Sequence, residues 1–278
     1  MSGVYDQLKE KFIMRSAWDD WKKFRDELTA LVNEYAGGRL AIVGAGRCND
    51  IELAKLEFES IRLIDVDEEA MRAAVKCLDD SVSQKINVTE VSLTGITEED
   101  TERFCEEVLG FVRDRGRSLT AASFEDCINS GLDKLEKKLE GAQSVLDGIL
   151  YENAYDVVLA NGLFSQLFTM ISFFIRSIVS SVAAEIIPGA DKIGMRTERR
   201  LMQMNSFVIP VIDKALVRSA GRVAIFGNED PPDSRVEGAY QSICFLRDNY
   251  EPDERKMNWN FNHAEDVLFH MTMQIIEK

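Results

Sequence analysis

Two glycines and one carboxylate are the residues of this sequence best suited to hold a ligand. Gly44, Ala45 and Gly46 come directly after the apolar run 40–43, and glycine lets the backbone turn sharply and approach a ligand closely. Asp65 ends the next apolar run, 21 residues after Gly44, where a carboxylate can accept both hydroxyls of an adenosine ribose. The spacing of turn and acid therefore predicts a nucleoside-binding site.

The kind of nucleoside depends on the residue that stands where a dinucleotide site has its third glycine. That glycine lets helix and strand pack closely beside a pyrophosphate, but Asn49 occupies its position here and Asp50 follows. Two polar residues, one of them acidic, suit a ligand that lacks phosphate and carries an amine. A nicotinamide site for NAD or NADP is the less favoured alternative.

Apolar runs that alternate with helical spacing surround these residues. Strand, glycine turn, helix and strand form a βαβ unit, which implies a parallel sheet with right-handed crossovers. The helix of this unit is expected over 51–58. Seven runs are expected as strands: 39–43, 61–65, 87–93, 155–160, 221–226, 256–262 and 267–276. The predicted fold is α/β, a doubly wound, mostly parallel seven-stranded sheet that ends in an antiparallel hairpin.

Helical segments precede and interrupt the predicted sheet. Residues 1–36 show helical spacing and are expected to form an N-terminal helical cap, after which the α/β domain spans 37–278. Residues 97–150 contain 13 acidic and 7 basic residues in helix-forming sequence, far more than one crossover helix needs. They are expected to form a helical insertion.

Two helices are expected within this insertion. The first begins at Thr97, where Asp100 three residues later is typical of a capping box. The second covers 132–150, which has amphipathic spacing.

Three segments resemble motifs of the class I S-adenosylmethionine-dependent methyltransferases. Residues 41–46 are similar to the first motif of that family, 64–67 to the second and 155–161 to the motif on its fourth strand. The antiparallel hairpin at the end of the sheet is also typical of that family. The resemblance covers about 36–96 and 151–278, and it implies S-adenosylmethionine as cofactor.

The resemblance also implies roles for individual residues. Asp65 would hold the ribose hydroxyls, Val66 would flank the adenine, and Asn49 or Asp50 would contact the amine of the ligand. The remaining implied contacts lie along the methionine and ribose, at Gly44, Ala45, Gly46, Asn161 and Gly162. The family often has an acid at the end of the third strand, whereas Ser92 or Thr94 stands there in this chain.

Methyl transfer by in-line displacement requires an aligned acceptor and removal of its proton when it carries one. His263 follows the sixth predicted strand and can titrate near neutral pH, although a histidine in a turn is often only solvated. Glu229 follows the fifth predicted strand. These two residues are the candidate catalytic bases.

The arginines Arg196, Arg199 and Arg200, with Lys192, form a basic cluster on one predicted helix. Arginines at this spacing can grip a carboxylate or phosphate of a substrate. A solvated face paired with neighbouring acids is the favoured interpretation.

Net charge limits the partners of the chain. It has 33 basic and 48 acidic residues and a formal charge of −15, which repels phosphate backbones and anionic lipid surfaces. Residues 163–184 are apolar but carry a polar stripe with Arg176, which a lipid-facing helix would not have. We therefore expect a small-molecule substrate, no nucleic acid, no membrane, and a helix that is buried or forms a homodimer.

The cysteine content indicates the compartment. Five cysteines are scattered without a CxxC pair and only two histidines accompany them, so no metal site is expected. Reduced thiols are typical of a cytoplasmic protein.

The favoured function is thus an S-adenosylmethionine-dependent methyltransferase that acts on a small molecule. The alternative enzyme is an NAD(P)-dependent oxidoreductase with a Rossmann domain. A non-catalytic regulatory protein that binds S-adenosylmethionine is a third reading, because residues 161–164, Asn-Gly-Leu-Phe, do not form an acceptor-activating tetrapeptide of the Asn-Pro-Pro-Tyr type.

Overall fold

A seven-stranded sheet organises the chain in a computed structural model that describes residues 3–187, 190–230 and 237–278. The strands are β1 Arg39–Val43, β2 Ser60–Asp65, β3 Ile86–Glu90, β4 Tyr155–Asn161, β5 Ala220–Asp230, β6 Asp253–Asn262 and β7 Val267–Glu277. Their order is β3-β2-β1-β4-β5-β7-β6, and β7 is antiparallel to both of its neighbours. The predicted doubly wound, mostly parallel sheet with a C-terminal hairpin is confirmed.

The central strands are buried on both faces. All residues of β1 from Leu40 to Val43 are at most 5% exposed, and residues 157–160 of β4 at most 1%. Successive strand residues point to opposite faces, so both faces of the sheet are covered, as is usual for parallel sheets. This burial explains why the strands appear in the sequence as continuous apolar runs.

Eleven α-helices fall within the described part of the chain: α1 Val4–Phe12, α2 Ala17–Asp20, α3 Lys22–Asn33, α4 Glu68–Lys76, α5 Asp80–Ser83, α6 Glu98–Arg115, α7 Ala121–Leu139, α8 Ala142–Ile149, α9 Thr169–Glu185, α10 Asp191–Ser219 and α11 Glu237–Tyr250. None of these helices, within the residues described, has the length and apolar character needed to cross a membrane.

The connection from β1 to β2 contains no α-helix, so the helix predicted over 51–58 is wrong. A single 3-10 turn, Leu53–Lys55, is present instead. Side chains at a spacing of four on α3, Arg25, Thr29 and Asn33, bond to the backbone of this connection. The bonds are Arg25 Nη1 to the Asn49 carbonyl (2.9 Å), the Glu52 N–H to Thr29 Oγ1 (2.9 Å), Asn33 Nδ2 to the Lys55 carbonyl (2.8 Å) and the Glu57 N–H to Asn33 Oδ1 (3.1 Å).

These bonds give the physical reason for the difference. Buried backbone groups need hydrogen-bond partners, and α3 supplies partners that helix formation would otherwise provide. The apolar residues of the connection, Ile51, Leu53 and Phe58, are buried without helical structure. We call residues 47–58 the crossover.

The residues divide into two compact units. The sheet unit comprises 14–93, 143–165, 209–230 and 237–278, and it contains all seven strands. The helical unit comprises 3–13, 94–142, 166–187 and 190–208, with α1, α6, α7, α9 and the first part of α10. Residues 1–36, predicted as a helical cap, contribute α1 to the helical unit and α2 and α3 to the sheet unit.

Side-chain caps begin two helices of the helical unit. The Thr97 hydroxyl accepts the Asp100 N–H at 3.2 Å, and Asp100 accepts the Thr97 N–H at 3.2 Å, which confirms the predicted capping box. The second helix, predicted over 132–150, was misplaced, because α7 begins directly after Thr120, which caps it through Ser123. Residues 142–149 form the separate helix α8.

Candidate functional site

The turn after β1 is fastened to the end of β2. Gly44 and Gly46 have φ angles of +73° and +47°, a region that glycine adopts without strain. A Cβ on Gly44 would lie 2.9 Å from Leu163 Cδ1, so a larger residue would displace Leu163 and would also be strained at this φ. The Gly46 N–H donates to Asp65 Oδ2 at 2.9 Å. This bond fixes the turn against the carboxylate that is predicted to bind the ribose.

Asp65 has capacity for further donors. Its Oδ1 accepts the Asp67 N–H at 2.9 Å and its Oδ2 accepts the Gly46 N–H. A carboxylate has about four acceptor positions, so two hydroxyls can still be accepted. Burial raises the pKa of the Asp65 carboxyl, although the nearby backbone N–H groups act in the opposite direction. Val66, the predicted adenine neighbour, follows Asp65 and is half-buried.

A second carboxylate joins the turn to the end of β4. Asn161 Nδ2 donates to Asp50 Oδ2 at 2.6 Å, and Asn161 is only 7% exposed. The Asn161 Oδ1 is buried and has no hydrogen-bond partner among the described residues. Burial raises the pKa of Asp50, while the bond from Asn161 lowers it. The site thus holds two carboxylates and a free amide oxygen, all of them acceptors.

Asn49, predicted to contact the ligand amine, is held by its backbone. Its carbonyl accepts from Arg25, which also donates to the Trp18 carbonyl at 2.8 Å. Arg25 is 3% exposed, and its Nε lies 3.7 Å from a carboxylate oxygen of Glu52. This buried cation was not identified from the sequence. The spacing of Arg25, Thr29 and Asn33 on one face of α3 was the available signal.

Glu229 was expected to follow the fifth strand but lies within β5, opposite Met271 on β7. The strand is longer than its apolar run because β7 pairs with it as far as Asp230. Glu229 is 3% exposed, and its Oε1 accepts the Ser165 hydroxyl at 2.8 Å. Its Oε2 has no partner within the described residues. Burial raises the pKa of this carboxyl, with a smaller opposing effect of Ser165.

Gly162 brings the end of β4 next to Glu229. Its N–H donates to the Gly227 carbonyl at 2.8 Å, and its φ is +61°. A Cβ on Gly162 would lie 3.3 Å from the Trp259 ring and 3.9 Å from Glu229 Oε1. Trp259 itself stacks on Phe24 at 4.7 Å and is 5% exposed, so it belongs to the core. The structure therefore brings Asn161, Gly162 and Glu229 together.

His263 lies elsewhere, in the exposed turn between β6 and β7. It lines an open surface depression with charged residues of α2 and α3, among them Lys22 and Lys23. No side-chain hydrogen bond joins His263 to Glu229 in the described part of the chain. The two predicted bases thus occupy different environments, one on the surface and one buried.

The basic cluster on α10 is paired with acids of its own unit. Arg196 Nη2 contacts Glu125 at 2.7 Å, and Arg200 contacts Glu136 at 2.7 Å as well as Asp133. Among the described residues, the side chain of Arg199 forms no ion pair. Two of the three arginines, Arg196 and Arg200, are therefore bound by acids within the helical unit.

No protein-family model and no curated protein matches this sequence. Among solved structures, the chain is similar to the N-methyltransferase NodS from Bradyrhizobium japonicum WM9 in complex with S-adenosyl-l-homocysteine, at 13% identity and TM-score 0.49, over 100% of this chain and 99% of that chain. It is also similar to a SAM dependent methyltransferase from Aquifex aeolicus, at 12% identity and TM-score 0.45, over 99% and 100% of the two chains. Likeness at this distance carries no argument about activity or substrate.

Proposed function

We propose that this chain is an S-adenosylmethionine-dependent methyltransferase that acts on a small molecule by in-line displacement. The observation that carries the proposal is the Gly44–Gly46 turn fastened to Asp65. Its backbone is open to close approach, and the carboxylate that fixes it can accept two more hydroxyls. This is the arrangement that the ribose of an adenosine ligand requires.

The charges around the turn suit a cation. Asp50, Asp65 and the free Oδ1 of Asn161 are acceptors, and S-adenosylmethionine carries a sulfonium and an ammonium group. A pyrophosphate, by contrast, is held by the N–H groups at a helix N-terminus. The crossover begins no α-helix, which weighs against the NAD(P)-dependent oxidoreductase.

The cofactor, when bound, supplies an activated methyl group. The chain must then position the acceptor and take up its proton. We assign proton uptake to Glu229, because its Oε2 has no partner among the described residues and burial raises the pKa of this carboxyl. His263 is the second candidate for this role. The Ser165 hydroxyl, bound to Oε1, would hold the Glu229 side chain in one orientation.

The remaining proposals concern setting and partners. All five cysteines are free, which supports a cytoplasmic location. The charge of −15 supports a small molecule rather than a nucleic acid as substrate. The apolar character of α9 supports the expectation that this helix is either buried or forms the contact of a homodimer.

Thermal unfolding with S-adenosylhomocysteine, and separately with NAD, tests the cofactor. A ligand at about a hundredfold above its dissociation constant adds about 2.7 kcal/mol to the free energy of unfolding. We expect a clear rise in Tm with S-adenosylhomocysteine. A rise with NAD alone would contradict the proposal.

The variant Asp65→Asn tests the ribose assignment, because loss of a charged acceptor for two hydroxyls costs about 3 kcal/mol, or roughly a hundredfold in affinity. Calorimetric titration with S-adenosylhomocysteine measures it. Glu90→Gln is the matched control, since Glu90 ends β3 opposite Asp65 in the sheet register. Equal affinity of the Asp65 variant and the wild type would show that Asp65 does not bind the ribose.

A further inference from the structure

A cavity of about 480 Å³ lies in the sheet unit between the crossover and α4. Most of its wall is apolar and comes from the crossover, from α4, and from α5 with the segment that leads into it. These side chains are Ile51, Leu53, Ala54, Ala73, Ala74, Leu78 and Val82. Of the residues assigned above to cofactor or catalysis, only Asn49 lines it. The cavity therefore adjoins the proposed cofactor site at Asn49, but its other lining residues do not belong to that site.

The absence of a crossover helix explains why this space exists. The backbone of the crossover obtains its hydrogen bonds from Arg25, Thr29 and Asn33 of α3. No helical side chains therefore fill the space in front of α4, which itself presents only Ala73 and Ala74. The cavity follows from specific bonds of the chain rather than from loose packing.

The charged residues of the cavity wall carry one positive and two negative charges, and the buried Arg25 beside Glu52 brings the total to zero. They are Arg47, Glu52 and Asp79. Glu52 lies 3.7 Å from the buried Arg25, which offsets its charge. Arg47 and Asp79 have opposite signs, are exposed to solvent and form no ion pair within the described residues. Because charges that are solvated by water gain little from an ion pair, they do not compensate a charged ligand for the loss of its own water.

We propose that this cavity is a binding site for an uncharged, mainly apolar small molecule. Its volume lies within the range of about 300–1,000 Å³ that is usual for small-molecule sites. The apolar wall supplies the affinity, and the polar residues at the rim orient the ligand. The proposal does not depend on the function proposed above.

Three probes that share one ring system test the proposal: indole, tryptamine and indole-3-acetate. We expect indole to bind with a dissociation constant of about 1 mM, which lies within the free energy of binding per atom that small ligands reach. The cationic and the anionic probe should bind at least about tenfold more weakly, since their charge must lose water without a partner. Titrations monitored by saturation-transfer NMR measure the dissociation constants of all three probes. Equal or tighter binding of either charged probe, or no binding of indole, overturns the proposal.

A substitution tests whether indole binds in this cavity. Ala74→Phe fills the space and should weaken indole binding at least about tenfold, as expected when a cavity is filled. Lys76→Phe is the matched control, because Lys76 is exposed on the same helix and does not line the cavity. Unchanged indole binding by a folded Ala74→Phe variant overturns the site.

A measurement on the unaltered chain covers the case in which that variant does not fold. The Cys77 thiol is exposed and lines the cavity, so bound indole should slow its alkylation by N-ethylmaleimide. Cys127, on α7, serves as the internal control. Mass spectrometry should show protection at Cys77 alone; equal rates at Cys77 with and without indole overturn the proposal.

Discussion

Two arginines of α10 in the helical unit differ from two polar side chains at the strand ends of the sheet unit in whether their polar atoms have partners. In the helical unit Arg200 is bound by Glu136 and Asp133, and Arg196 by Glu125. At the strand ends, Asn161 Oδ1 and Glu229 Oε2 are buried without a partner among the described residues.

This difference separates side chains that stabilise the fold from those that are available to a ligand. Paired charges contribute to stability when their geometry is good, whereas a buried polar atom without a partner costs free energy. Arg196 and Arg200 of the basic cluster are bound to acids, which agrees with the favoured interpretation of a face paired with neighbouring acids rather than with a substrate grip. Glu229 and Asn161 retain the capacity to bind that Arg196 and Arg200 lack.

The largest predicted effect comes from a substitution at the strand ends, beside Asn161. Gly227→Ala would place a Cβ 2.0 Å from Asn161 Oδ1 and 2.9 Å from Met273 Cε, so Asn161 must move and release Asp50. We expect a loss of about 3 kcal/mol in the free energy of unfolding and weaker binding of S-adenosylhomocysteine. Denaturant titration and calorimetry measure the two effects.

Gly148→Ala is the control for that variant. Gly148 lies in α8, and a Cβ there meets nothing within 4 Å. Alanine should raise stability by up to about 1 kcal/mol in a helix. Similar stability of the two variants would show that the close approach at Gly227 is not required.

The next largest effect is predicted for a substitution that removes ion pairs of the helical unit. Arg200→Ala removes the ion pairs to Glu136 and Asp133 and a hydrogen bond to the Asn129 carbonyl. We expect a loss of about 2 kcal/mol in the free energy of unfolding, as for hydrogen bonds to charged groups, with unchanged cofactor affinity. Arg199→Ala, one residue away and without an ion pair to any described residue, should cost less than about 0.5 kcal/mol. Reduced cofactor affinity in the Arg200 variant would revive the substrate-grip interpretation.

The smallest predicted effect on the free energy of unfolding is that of Glu229→Gln, and it is a gain rather than a loss. Burial raises the pKa of Glu229, so the folded state favours the protonated carboxyl. The stability that it contributes is complete below the unfolded pKa and is lost as pH rises through the folded pKa. Glu229→Gln should therefore add about 1 kcal/mol near pH 8 and nothing near pH 4, while methyl transfer is lost.

Asp230→Asn is the control for Glu229→Gln. Asp230 is paired with Lys256, and this pairing and the Thr272 hydroxyl lower its pKa overall. Its replacement should reduce stability above the unfolded pKa and have no effect once both states are protonated. Thermal unfolding at several pH values compares the two. A Glu229 variant that is less stable at high pH would show that its carboxylate is compensated after all.

The strands and the turn could be predicted because their sequence signals are local. β1 and β4 are buried on both faces and therefore appear as continuous apolar runs. Gly44, Gly46 and Asp65 are residue types that a tight turn and a ribose site require, and their spacing follows from one crossover.

The crossover and the Glu229 environment could not be predicted because distant residues determine them. Ile51, Leu53 and Phe58 have the apolar character of a helix face, but Arg25 and Thr29 supply backbone partners from another segment. Glu229 extends a strand only because β7, about forty residues later in the sequence, pairs with it. Neither interaction leaves a local pattern.

The position of β7 in the sheet also has a consequence during synthesis. β7 follows all other strands in the sequence, yet it lies between β5 and β6. While a ribosome still holds residues 267–277, β5 presents an unpaired edge, and such edges pair readily with other chains. The nascent chain should therefore be prone to aggregation until residues 267–277 have left the ribosome, and a chain cut before Val267 should remain in that state.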